Sequence, residues 1–177
     1  MIRKIWDIAL NVLIVSVAVL LIAVLTGHLC GFRYYIVLSG SMEPAIHTGS
    51  LGIVNSRAKF ETIEPGNIIA YENTMGTRVT HRVESVCEDG IITKGDANTM
   101  NDGVSVNKEN FIGETIGSIP FIGYILLFLQ SKKGMILSVA AILVLWLLDC
   151  IIRCMTRDCK EKKHRNLWRQ RMGKNET

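Results

Sequence analysis

Residues 8–25 read IALNVLIVSVAVLLIAVL, eighteen positions without a charge. A helix needs about 20 mostly apolar residues to cross the hydrocarbon core of a bilayer. Arg3, Lys4 and Trp6 stand just before the run, where basic flanks and interfacial aromatics belong. A second run, MILSVAAILVLWLL at residues 135–148, stops at Asp149 and resumes with Ile151 and Ile152. It is shorter, so it calls for tilt or snorkelling neighbours. The first run is longer than the apolar stretch of about 7–15 residues in a cleaved leader, and no A-x-A-like site follows it. Thr26-Gly27-His28 is a poor processing site. The reading is a retained anchor.

The rest of the composition agrees. With 49% hydrophobic and 20% charged residues, the 177-residue chain is not a disordered polymer. Three prolines and fifteen glycines exclude a collagen-like or low-complexity chain. Charge sets an orientation. Residues 149–177 carry nine Lys/Arg against four Asp/Glu, whereas residues 28–134 carry nine against eleven. Positive flanks stay on the cytoplasmic side. Both termini are therefore expected inside and the middle outside, in a periplasm, a cell exterior or a lumen. The basic tail KEKKHRNLWRQR suits an anionic inner leaflet as well as a stop-transfer flank. With a single aromatic and no recognisable fold, it does not argue for nucleic acid.

The cysteines say little. Cys30 and Cys87 fall on the outer side, where a disulfide is chemically allowed. Cys150, Cys154 and Cys159 lack zinc-site spacing and a paired histidine, so they read as free thiols. No metal and no cofactor are implied.

Between the two runs, short β-branched segments alternate with turn signals. Strands are expected near Tyr35–Leu38, Leu51–Asn55, Asn67–Glu72, Arg78–Cys87, Ile91–Lys94 and Phe111–Gly117. Glu64-Pro65-Gly66 and Glu88-Asp89-Gly90 are turns: Pro presets φ, and Gly accepts a positive one. The apolar segment Ile119–Leu129 is too short to span. It is expected to lie at the interface, to pack on the domain, or simply to lead into the second helix. The fold class is an all-β domain flanked by N- and C-terminal transmembrane helices. Its parts are a stub and first helix (1–28), a β-rich domain (29–118), an apolar connection (119–134), a second helix (135–152) and a basic cytoplasmic tail (153–177).

Three polar clusters could carry chemistry. Ser39-Gly40-Ser41-Met42-Glu43-Pro44 follows the strand YYIVL. A serine on such a tight turn can project its hydroxyl as a nucleophile, although turn or cap duty is the commoner role. His81 shares a strand face with Val79 and Val83. A lone histidine there is ordinarily a core-edge residue bonded to a carbonyl. It is also the side chain suited to accept a serine proton at neutral pH. Asp96 and Asp102 lie in the loop GDANTMNDG, where aspartates make turns unaided. Alternatively, one of them holds the imidazole Nδ1–H and fixes its tautomer. Walker-type, H-E-x-x-H and G-x-S-x-G motifs are absent.

In this order and at these spacings, S-G-S-M-E-P, T-H-R-V and G-D-A-N-T-M-N-D resemble signal peptidase I. The histidine at position 81 makes the chain similar to the endoplasmic-reticulum-type branch found in eukaryotes, archaea and some Gram-positive bacteria. The ordinary bacterial branch has a lysine there. The resemblance covers about residues 5–125. It implies Ser41 as nucleophile, His81 as general base and Asp102 as the orienting acid. Asp96 would be supporting, with an exchange between the two aspartates left open. Ser39 would contribute to the oxyanion hole. It further implies a fold of coiled, mostly antiparallel sheets. The substrates would be signal peptides of secreted precursors, cut after small-x-small residues by an enzyme in contact with membrane lipid. Secretion-machinery partners are left unspecified. Two other readings compete: a catalytically silent membrane-anchored subunit of the same fold, and a membrane sensor whose β domain binds a ligand.

Overall fold

The computed structural model describes the backbone of residues 2–172 and the side chains of residues 3–156. The basic tail beyond residue 156, Cys159 included, lies outside the described side chains. The chain divides into two units, residues 1–20 with 129–177 and residues 21–128.

The first unit is helical. Helix α1 runs Ile2–Leu29 and continues into the second unit, and helix α3 runs Lys132–Met172. Within them, Arg3–Leu29 (27 residues) and Lys132–Thr156 (25 residues) are apolar and long enough to cross a bilayer. The second run is therefore longer than its uncharged stretch suggests, because the helix carries charged residues at both ends. Asp149, the charge that interrupts it, accepts from Arg153 at 2.7 Å and from Trp6 Nε1 at 3.3 Å. A paired carboxylate is far less costly to hold near lipid than a bare one.

The second unit holds seven strands: β1 (Phe32–Ile36), β2 (Leu51–Asn55), β3 (Ile68–Glu72), β4 (Arg78–Cys87), β5 (Gly90–Lys94), β6 (Ser105–Val106) and β7 (Phe111–Ile119). They form one curled antiparallel sheet in the order β1-β2-β7-β3-β4-β5-β6. Register shifts at Ile53/Val54, Ala70/Tyr71 and Val83/Ser85 mark bulges. A bulge bends a strand and increases its twist, which is how one sheet curls around its own core. That core is Ile63, Ile69, Tyr71, Val83, Ile91 and Val106, closed by Phe60, Val79 and Phe111. The alternation in β4 puts Val79, His81 and Val83 on the covered side, as the sequence pattern predicts.

The structure differs from the sequence reading in the bounds of β1 and in the additional short strand β6. β1 is registered earlier than Tyr35–Leu38. It pairs with β2 from Phe32↔Asn55 to Ile36↔Leu51, and beyond Ile36 only Val37 keeps the ladder, through bonds to Ser50 and Gly49. The apolar segment after β7 forms helix α2 (Ile122–Gln130), and its start packs on the domain. Gly123 is buried so close to the Gly49 carbonyl that a Cβ would stand 2.6 Å from that oxygen. Cys30 and Cys87 are both free and exposed.

Candidate functional site

The turn after β1 is fixed from below by Met42, which is fully buried. Glu43 N–H donates to the Gly40 carbonyl, and Ile46 N–H to that of Met42. Glu43 also accepts from the Thr48 backbone and hydroxyl. These bonds tie down the turn on which Ser41 sits. The turn is also tied to the loop after β5, because Ala97 N–H donates to the Ser41 carbonyl at 2.9 Å. Gly95 makes that approach possible: a Cβ there would stand 2.6 Å from the same carbonyl oxygen.

His81 projects from β4, opposite Ile69 of β3, and is 7% exposed. Its Nε2 lies 3.0 Å from Ser41 Oγ, and its Nδ1 lies 2.7 Å from Asp102 Oδ2. An ionised carboxylate can only accept, so the Nδ1 carries the proton. That leaves the Nε2 lone pair facing the serine hydroxyl. Ser39 Oγ is 3.4 Å from Ser41 Oγ. The structure therefore brings Ser41, His81 and Asp102 into one chain of hydrogen bonds, with Ser39 beside it.

Asp96 is placed elsewhere. Its two oxygens accept from Arg82 Nε and Nη2 at 2.8 and 2.7 Å, and Arg82 Nη1 reaches the Gly66 carbonyl. The paired guanidinium N–H groups hold the Asp96 carboxyl below its ordinary value, and Asp96 in turn raises that of Arg82. Arg82 is the strand neighbour of His81, so this fork ties the loop bearing Asp102 to the strand bearing the imidazole.

Sequence reasoning missed two members of the site. Tyr71 of β3 donates to Asp102 Oδ2 at 2.9 Å, and Thr93 of β5 donates to the same oxygen. Both are buried. Burial, with the Asp102 carboxylate adding to it, pushes the Tyr71 phenol up to about 12. In sequence both are ordinary strand formers. Their one signal is a hydroxyl on an otherwise aliphatic covered face.

Ser41 and His81 open on a groove of about 990 Å³. Tyr34–Leu38 and Gly76–His81 line it, together with Met42, Val54, Ala70 and Thr115. Arg78 stands over the Tyr35 ring at 5.1 Å, joining these two lining segments. Among the described residues no cluster of three or more His, Cys, Asp or Glu is arranged to hold a metal.

A hydroxyl hydrogen-bonded to an imidazole that is hydrogen-bonded to a carboxylate is the site order of serine hydrolases, here on an all-β body flanked by two helices of membrane-crossing length. No family model matches the chain. It is 35% identical over 91 residues to signal peptidase I W of Bacillus subtilis, covering 49% of this chain and 48% of that protein. It is 34% identical over 109 residues to a signal peptidase complex catalytic subunit of Sclerotinia sclerotiorum, covering 54% and 63%. It is 33% identical over 125 residues to the corresponding subunit of Metarhizium robertsii, covering 62% and 72%. The match thus spans about half the length of the Bacillus relative and under two thirds of the Sclerotinia one. With a third of the positions shared across most of the Metarhizium subunit, the chain belongs to the signal peptidase family.

Proposed function

We propose that this protein is a membrane-bound serine endopeptidase that removes signal peptides from secreted precursors, with Ser41 as nucleophile, His81 as general base and Asp102 as the acid that orients it. The observation that carries the reading is the unbroken run of contacts Ser41 Oγ–His81 Nε2–His81 Nδ1–Asp102 Oδ2, at 3.0 and 2.7 Å across the two hydrogen bonds, opening on a groove. Membership of a family whose named members are signal peptidases points to the same chemistry.

In this mechanism the Ser41 hydroxyl attacks the scissile carbonyl as its proton passes to His81 Nε2. Asp102 stabilises the imidazolium that forms without taking the proton. The tetrahedral oxyanion is met by the Ser41 backbone N–H and the Ser39 hydroxyl. A donor of this kind is typically worth about 2.7–4 kcal/mol. His81 protonates the departing amine, leaving the signal peptide as an ester on Ser41. Water activated by the same imidazole then hydrolyses the ester. An extended substrate added beside Tyr35–Leu38 would send alternate side chains into the groove, and shallow pockets there would admit only small ones.

Anchoring serves this function. The substrate's apolar segment sits in a bilayer, so a peptidase held in the same bilayer meets it at high effective concentration. Both termini are cytoplasmic in this reading and the β domain is outside, following the basic flanks of residues 149–177. The decisive experiment is N-terminal sequencing of secreted proteins from cells carrying either Ser41 or Ser41→Ala. Uncut precursors with the variant are expected. Normal processing with a stably inserted Ser41→Ala protein would refute the assignment.

A further inference from the structure

We propose that Tyr71 and Thr93 are positioning residues that act on His81 through Asp102, two buried hydroxyls that fix the carboxylate's direction and draw off part of its charge. The inference rests on the reading of Ser41, His81 and Asp102 as the reacting set. Asp102 belongs to no strand. It lies in the loop between β5 and β6, where Asp102 N–H donates to the Thr93 carbonyl at 2.9 Å. A carboxylate on such a loop can rotate away from an imidazole unless its oxygens are held.

The sheet supplies the holders. β3, β4 and β5 are adjacent, and they deliver Tyr71, His81 and Thr93 to one oxygen. Tyr71 is 4% exposed and Thr93 is fully buried, and the two hydroxyls also lie 3.3 Å from each other. Both stand beside register shifts, Tyr71 at Ala70/Tyr71 and Thr93 opposite Val83, where the β4–β5 pairing slips. Bulges at such places re-aim side chains. With three donors on Oδ2, the carboxylate's negative charge is shared among three hydrogen bonds. The proton therefore stays on the imidazole during turnover.

Other charges around the pair are accounted for. Asp96, in the same loop, is neutralised by Arg82 of β4. Lys94 of β5 and Glu84 of β4 face each other at 4.0 Å. Glu43, in the serine turn, is bonded to Thr48. None of these supplies a donor to Asp102 if the two hydroxyls are removed.

The test follows the His81 imidazole by NMR in the full chain in detergent micelles, assigned by its loss in His81→Gln. Wild type is compared with Tyr71→Phe, Thr93→Val and the conservative Thr93→Ser. Removing a donor concentrates charge on Asp102, which favours the imidazolium. The His81 midpoint is therefore expected to rise by about half a pH unit in Tyr71→Phe and in Thr93→Val. It should return towards wild type in Thr93→Ser. With a pre-protein substrate, kcat should fall about ten-fold at neutral pH with KM unchanged, and the acid limb should move up with the midpoint. Variants that lose thermal stability but keep the wild-type midpoint overturn the proposal, because a packing role alone would do that. If the wild-type chain does not cleave pre-protein, the peptidase reading fails, and the NMR midpoints still decide whether the hydroxyls govern His81.

Discussion

Asp96 and Asp102 are six residues apart in one loop, and their environments give them opposite duties. Asp102 accepts from the imidazole, and Asp96 accepts the fork of Arg82. Asp102→Asn presents the imidazole with an amide and destroys the preference for the Nδ1–H tautomer. The fall in kcat is expected to be on the order of a thousand- to ten-thousand-fold, measured on a purified pre-protein. Asp96→Asn should cost much less activity and act mainly on stability. Its sign with pH follows from linkage. The folded-state value of Asp96 lies below the ordinary 3.8, so its stabilisation is present above that value and is lost as pH falls through the folded one. Thermal unfolding of the wild type should weaken on acidification through that range, and Asp96→Asn should lack this component. Tyr71 gives the alkaline counterpart. Its phenol titrates at about 12 against an ordinary 10.0, so the fold loses stability as pH rises between those values. Phenolate absorbance should show one late-titrating tyrosine, and Tyr71→Phe should remove it.

At the scale of elements, the serine turn and the loop after β5 behave as one assembly. Gly95 is the point of closest approach. Gly95→Ala would put a methyl carbon 2.6 Å from the Ser41 carbonyl oxygen and 2.7 Å from Asn98 Nδ2. Backbone must move, and the bond from Ala97 N–H to that carbonyl is the first to loosen. A displacement of about 1 Å at a reacting group can cost about a hundred-fold. A loss of kcat of that order is expected with membrane insertion and overall β content retained, read by steady-state cleavage and circular dichroism. Sequence pattern exposed part of this assembly. β2 and β4 stand where alternation puts them, because half-buried and buried residues succeed one another along β2 and from Thr80 to Val83 in β4. β6 was not legible: Ser105–Val106 is too short to carry a period. The boundary of β1 was misplaced because YYIVL is apolar throughout, so nothing in it marks where pairing ends. The serine, histidine and aspartate clusters were visible as motifs. The hydroxyls of Tyr71 and Thr93 were not, since their role depends on three strands being neighbours in an order that no local pattern encodes.

On the scale of the whole molecule, a β domain stands between two helices long and apolar enough to cross a bilayer. In the topology proposed above, two crossings return the chain to the compartment it left, and the basic excess of residues 149–177 over residues 28–134 assigns that compartment as the cytoplasm. The cysteines allow a direct test. Cys87 is exposed at the end of β4 in the β domain. Cys159 follows the second span in sequence. Single-cysteine proteins keeping one or the other, with the remaining cysteines changed to serine, can be treated in intact cells or sealed vesicles with a maleimide that does not cross lipid. Cys87 should label at once in right-side-out membranes, whereas Cys159 should label only after detergent is added. Inverted vesicles should exchange the two results. Labelling of Cys159 from the outside would put the basic flank across the bilayer, against the rule that orients it. The β domain and Ser41 would then lie on the cytoplasmic side, where no translocated precursor could reach them.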